Sequence, residues 1–174
     1  MWGVRAGLTV FFALSTAIAH VDASAGEIGK LPPPSNEPVL EIHGAISIPN
    51  VEGVALFDMD MLKALPLAQL ETTTAVTDGV RWFDGFLMRD LLELVGASGS
   101  IVTASALNDY AIDLDADEFY RFDVLVAYEM DGKPLLPSDK GPLWIVYPRD
   151  QHNELQDIRY DYRWVWQLTR LDIR

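Results

Sequence analysis

From Ala104 to Leu114, apolar and polar residues alternate on both sides of Asn108-Asp109-Tyr110. A period of two fits a pleated strand and no helix, so the stretch reads as strand, polar break, strand. Two readings of the break stand side by side. It is a hairpin turn followed by a cross-strand tyrosine, or it is a ligand site. A carboxylate, an amide and a phenol within three residues offer acceptor, donor and stacking ring to a flat, nitrogen-rich molecule.

Other short runs repeat this grammar. Val39 to Ile46 alternates and predicts a first strand, Gln69 to Val76 is a β-branched strand through Thr72-Thr73-Thr74, and Asp78-Gly79 turns the chain into Val80 to Phe86. Val124 to Met130, Leu143 to Tyr147 and Trp164 to Ile173 complete the strands, with Asp131-Gly132 as a hairpin signal into Lys133-Pro134-Leu135. Helical punctuation is brief. Asp58 to Leu65 enters through an acidic first turn and stops before Pro66; Leu87 to Val95 ends at Gly96; Asp115 to Tyr120 begins with acidic residues. Gln151 to Asp161 is polar and expected as loop. There is no internal repeat. Many short strands with a few short helices make an α+β domain, mixed and mostly β.

The first 25 residues carry Arg5, an apolar run from Ala6 to Ile18 and small residues at Ala17-Ile18-Ala19 and Ala23-Ser24-Ala25, the layout of a cleavable secretory signal. Residues 26–38, with Pro32-Pro33-Pro34 and Pro38, form a stiff, extended lead-in. A single domain over 39–174 follows, and the expected compartment is the periplasm. The 174-residue chain has no cysteine, which removes disulfides, thiolate metal ligands and a cysteine nucleophile together. Its formal charge of -13 disfavours nucleic acid, anionic lipid and highly phosphorylated ligands.

Catalytic signatures are sparse. His43 and His152 are the histidines of the expected mature chain, and neither has a second histidine at ligand spacing, so no metal is expected. There is no glycine-rich phosphate loop and no nucleophile elbow. The aromatic residues say more. Trp82, Tyr110, Trp144, Tyr147, Trp164 and Trp166 sit at strand ends or turns, where a ring with a polar tip suits a pocket rim as well as a core. In Tyr147-Pro148-Arg149-Asp150 a strand ends abruptly and presents an arginine and a carboxylate, which are site groups or a surface pair.

Trp82-Phe83-Asp84-Gly85-Phe86-Leu87 leading into Asp90-Leu91-Leu92, then Asn108-Asp109-Tyr110, Asp131 to Leu135, Gly141 to Pro148 and Trp166-Gln167-Leu168, run in an order that resembles the molybdopterin-binding domain of the sulfite-oxidase family. The resemblance covers about Val39 to Arg174 and implies a mixed, mostly β fold that grips a pterin. Catalytic members place a cysteine on molybdenum. The corresponding region, Thr72 to Val76, offers threonine and alanine here, so oxygen-atom transfer loses its protein sulfur.

Short, exported, cysteine-free chains of this kind are similar to the PruR-like pterin-binding regulators. That resemblance implies a reduced pterin, such as a tetrahydromonapterin, as ligand, and as partner the periplasmic domain of a membrane-bound diguanylate cyclase/phosphodiesterase, without catalysis. Molybdopterin is the less expected cofactor, and a periplasmic molybdopterin-dependent oxidoreductase is the alternative. For the pterin, Asp109 is the first choice of bidentate acceptor, with Asn108 beside it. Trp82 or Tyr110 is the first choice of stacking ring, and Trp144 or Trp164 the second. Arg149 or Arg163 would donate to the ring carbonyl, and Tyr147 lies at the same strand end.

Overall fold

The computed structural model describes residues 2–3 and 31–174. Apart from residues 2–3, the expected secretory signal lies outside the described residues, as does the start of the lead-in. Among the described residues no helix is long and apolar enough to cross a membrane.

Among the described residues ten strands form two five-stranded sheets. The first contains β1 (Leu40–Gly44), β2 (Ala55–Phe57), β5 (Ile101–Ala106), β6 (Ala111–Asp115) and β10 (Leu168–Ile173), in the order β2-β1-β10-β5-β6. The second holds β3 (Ala68–Thr73), β4 (Val80–Leu87), β7 (Leu125–Met130) and β8 (Lys133–Pro134) in that order, with β9 (Trp144–Val146) also paired to β7. Only β1 and β10 run parallel; the other ladders are antiparallel. The helices are short: α1 (Met59–Lys63), α2 (Met88–Leu94) and α3 (Ala116–Arg121). The fold is the mixed, mostly β α+β class expected from the sequence.

Residues of both sheets close one core. Leu40, Ile42, Val102, Ala104 and Leu171 from the first meet the same cluster as Phe83, Phe86, Val126 and Trp144 from the second. Phe83 and Trp144 pack edge to face at 5.4 Å between ring centroids. The β4–β7 ladder shifts register between Asp84 and Gly85. Glycine is required there because a Cβ would stand 2.1 Å from the Val126 carbonyl oxygen.

Several boundaries differ from the expected ones for identifiable reasons. The threonine run leaves the sheet at Thr73, three residues before Val76, because the Thr74 hydroxyl oxygen accepts from the N–H groups of Val76 (3.1 Å) and Thr77 (2.9 Å). A side chain that satisfies its own backbone competes with the ladder. The final alternating run is also interrupted. Gln167 has φ 52° and sends its N–H to the Lys140 carbonyl, so Trp164-Val165-Trp166 lies outside β10. The polar segment expected as loop holds two 3-10 turns, Asn153–Gln156 and Ile158–Arg163. Strand β2 has no counterpart among the expected elements.

The described part of the lead-in is fastened rather than free. Asp58 is buried, caps α1 through Met61 N–H (2.9 Å), and also accepts from the N–H groups of Ser35 and Asn36, each at 2.9 Å. The bond from Met61, then that from Asn36, holds its carboxyl below the usual carboxylate range. A depressed folded value means that this contribution to stability is present above the unfolded carboxyl value of about 3.9, and is lost as pH falls through the folded one. Asp58→Asn should therefore lower the melting temperature at pH 7, and the gap to wild type should close below about pH 4 in a thermal-melt series. A gap unchanged with pH would remove the ionised carboxylate from the account.

Candidate functional site

The β5–β6 hairpin turns at the polar break. Ala106 N–H donates to the Tyr110 carbonyl (2.8 Å), Asp109 N–H to the Ala106 carbonyl (3.2 Å), and Tyr110 N–H to Asn108 Oδ1 (3.2 Å). Asp109 sits at φ 64°, a left-handed position that Asp and Asn tolerate. Tyr110 then reaches across the hairpin mouth. Its hydroxyl donates to the Tyr162 carbonyl at 2.7 Å, joining the hairpin to the 3-10 turn Ile158–Arg163. Burial, then the neighbouring Tyr162, pushes the Tyr110 phenol above its ordinary value.

Between these two elements lies a cleft of about 190 Å³, lined by Ala106, Asn108, Tyr110, Asp161, Tyr162, Trp164 and Trp166. Two of its polar atoms are conspicuous. Asp161 Oδ1 and Trp164 Nε1 are buried and have no hydrogen-bond partner among the described residues. A desolvated acceptor and donor left unmatched are costly, and both belong to residues that line one cavity. Asn108 and the rings of Tyr110, Tyr162 and Trp166 make up the rest of the polar-and-ring lining, which contains no Lys or Arg among the described residues. A larger groove of about 500 Å³ runs past Pro38, Leu107, Pro137 and Pro142, but it presents no such orphaned atom.

The wall that carries Asp161 is braced from behind. Arg163, two residues on, pairs its guanidinium with Glu118 Oε1 on α3, and Glu118 Oε2 accepts from the Tyr147 hydroxyl at 3.1 Å. Arg163 also stacks over the Tyr160 ring at 4.8 Å. Burial, then the Glu118 charge, drives the Tyr147 phenol well above its ordinary value, so it stays a neutral donor to that carboxylate. Trp144 lies edge-on to Trp164 at 6.4 Å.

Of the nine residues singled out from sequence, the structure brings Asn108, Tyr110 and Trp164 into the cleft. Asp109 stands exposed on the turn and does not line it. Trp144 and Tyr147 are fully buried core residues with no open face. Arg163 is committed to Glu118. Trp82 stands exposed on β4, away from the cleft lining.

Arg149 belongs to a separate polar knot. Asp150 accepts from the Thr73 N–H and the Thr73 hydroxyl, both at 2.6 Å, Asp150 N–H donates to the Thr72 hydroxyl (3.2 Å), and Arg149 Nη1 approaches the Thr73 hydroxyl at 3.4 Å. Burial opposes ionisation of Asp150, but the Thr73 hydroxyl and amide and the Arg149 charge outweigh it and lower its pKa. Sequence reasoning passed over Asp161 and Tyr162, and placed Trp166 among the rim aromatics without assigning it to the site. The missed signal was Arg159-Tyr160-Asp161-Tyr162-Arg163-Trp164, where rings alternate with charges at the end of a segment read as loop.

The histidines are occupied elsewhere. His43 Nε2 meets Glu41 Oε2 at 3.0 Å, and the His152 ring packs against Phe122 at 5.1 Å. Among the described residues no group of three His, Cys, Asp or Glu is placed to hold a metal ion.

A molybdenum cofactor brings a soft metal, a phosphate and a pterin, and the residues present treat the three differently. The Thr72–Val76 region has no sulfur, and Thr72 and Thr73 are hydrogen-bonded to Asp150. No cation lines the cleft to meet a phosphate. A two-ring heterocycle suits its lining better, since Tyr110, Tyr162, Trp164 and Trp166 offer ring surface and Asp161 offers a carboxylate.

No curated protein matches the chain. The model of the family described as "oxidoreductase molybdopterin binding domain" matches residues 39–152, which include β1 to β9, the β5–β6 hairpin and the Thr73–Asp150 knot. By that match over most of its length, the chain belongs to the oxidoreductase molybdopterin binding domain family, the sulfite-oxidase type.

Proposed function

We propose that the protein is a pterin-binding regulator of the PruR-like kind. In this reading it is exported to the periplasm, binds a reduced, unconjugated pterin in the Tyr110/Asp161/Trp164 cleft, and performs no catalysis of its own. The carrying observation is the orphaned Asp161 Oδ1 in a ring-lined, cation-free cleft of a molybdopterin-binding-type domain. A pterin's aminopyrimidine edge presents adjacent N–H groups, for which a carboxylate is the matching acceptor. The rings supply stacking surface, and the lack of a cation selects against a phosphate tail. At about 190 Å³ the cleft is below the roughly 300 Å³ at which pockets for drug-sized ligands begin, so it takes the bicycle and leaves the side chain outside.

The absence of cysteine from the whole chain supports binding without turnover. The signal-like first 25 residues support export. A bound ligand biases a partner only by preferring one of its states, and the proposed partner is the periplasmic domain of a membrane-bound diguanylate cyclase/phosphodiesterase. Native mass spectrometry and metal analysis of protein exported by a molybdenum-replete host test the reading. A copurified pterin without molybdenum is expected. Stoichiometric molybdenum with turnover of an oxo-acceptor would replace this reading with that of a molybdopterin-dependent oxidoreductase.

A further inference from the structure

Trp82 is 57% exposed on the outer face of β4, with Val80 beside it at 53%. Its main chain faces the other way. Trp82 N–H donates to Asp131 Oδ1 (3.1 Å), and its carbonyl accepts from Asp131 N–H (2.8 Å), so both groups serve the β7 side. Antiparallel ladders alternate between residues that bond a given neighbour and residues that face away from it. Glu71, directly opposite Trp82, therefore turns its N–H and C=O away from β4. Thr73 is in the same phase, and its N–H goes to Asp150 rather than to β4. Gln69 shares that phase as well.

β3 is an edge strand. Asp150 closes that edge at Thr73, and no side chain among the described residues closes it at Gln69 or Glu71. Two outward residues of open ladder remain, beside an exposed tryptophan. The charge beside that edge without a cationic partner among the described residues is negative, on Glu71 and Asp84. Glu71 makes no ion pair or hydrogen bond through its side chain among the described residues; Asp84 accepts from Gln69 Nε2 (2.8 Å), and Glu129, opposite Asp84, meets Lys63 at 3.7 Å. The neighbouring Arg81 is spent on Asp131 at 2.9 Å. A second copy of this edge would set Glu71 against like charge, which is unfavourable in cross-strand pairs.

We propose that the open edge of β3 at Gln69–Glu71, flanked by Trp82, docks an extended segment of another protein whose side chains on that face are basic. Main-chain pairing supplies the register, Trp82 the apolar anchor, and Glu71 and Asp84 the charge selection. The site is independent of what the cleft binds, so it stands or falls apart from the pterin reading.

The test uses the purified exported chain and two blocked heptapeptides, one alternating Lys and Val, the other alternating Glu and Val. Only the Lys–Val peptide should bind, slowing amide exchange at Gln69 and Glu71 and weakening as salt is raised. Gln69→Pro removes one outward N–H and leaves the β3–β4 ladder intact, as proline is tolerated where the N–H faces solvent. It should bind the peptide about tenfold more weakly than Gln69→Ala. Equal affinity of the two variants, unchanged exchange at both amides, or no binding of the Lys–Val peptide would overturn the proposal. A β3-mediated dimer broken by Gln69→Pro would give the edge to a second copy instead, and would overturn it too.

Discussion

Asp161→Ala should weaken binding of a tetrahydropterin by about 1.5 to 3 kcal/mol, the range for a hydrogen bond to a charged group. In a calorimetric titration that is roughly a tenfold to hundredfold rise in Kd. Asp161 Oδ1 is buried without a partner, so the free protein already bears the cost of desolvating it. A ligand N–H recovers that cost at once. The same reasoning gives a second readout, because removing an unmatched carboxylate should leave the unliganded protein no less stable than wild type. Loss of affinity together with a large loss of stability would mean that Asp161 holds the wall rather than the ligand. Asp109→Ala is the control: on its exposed turn, it should leave Kd within about twofold of wild type.

The second large effect lies behind the wall. Glu118→Ala should cost about 3 kcal/mol in a urea unfolding series, read as a lower midpoint at constant slope. Glu118 keeps 10% of its side chain exposed and Arg163 23%, so the pair is mostly but not wholly out of water. That places the expectation at the low end of the range for breaking a buried pair. Two groups are stranded by the change: the Arg163 guanidinium and the Tyr147 hydroxyl, whose hydrogen bond to Glu118 is lost. Removing both charges with Glu118→Leu and Arg163→Met should restore much of the stability, since no uncompensated charge remains. Because Arg163 lies two residues from Asp161 on the same 3-10 turn, Glu118→Ala should also loosen ligand binding, whereas the double variant should recover it in part. If the double variant is as unstable as the single, the loss is one of packing and the pair does not brace the wall.

The contrast between Asp109 and Asp161 shows where sequence reading stopped. The alternation around Asn108-Asp109-Tyr110 located one side of the cleft, because hairpin geometry is local and two residues of turn chemistry specify it. It also singled out Asp109, which stands exposed on the turn and does not line this cleft, whereas Asn108 and Tyr110 do. Asp161 arrives from more than 50 residues away, on a 3-10 turn whose short period leaves almost no pattern. Trp144 and Tyr147 looked like rim residues because tryptophan and tyrosine suit rims and cores alike, and only the packing of β9 against β7 decided for the core.

By itself, the order of residues determined the two-residue alternation, the turns at Asp78-Gly79 and Asp131-Gly132, the mostly β class and the loss of every thiolate. These depend on neighbours in the chain, and neighbours are what a sequence displays. Tertiary structure alone decided that Gln167 would break the last strand, that Asp150 would cap the Thr73 edge, and that Asp161 and Trp164, each with a buried polar atom unmatched among the described residues, would line one cavity. Whether a polar atom has found a partner depends on groups that meet only when the chain has folded, and no local pattern records that outcome.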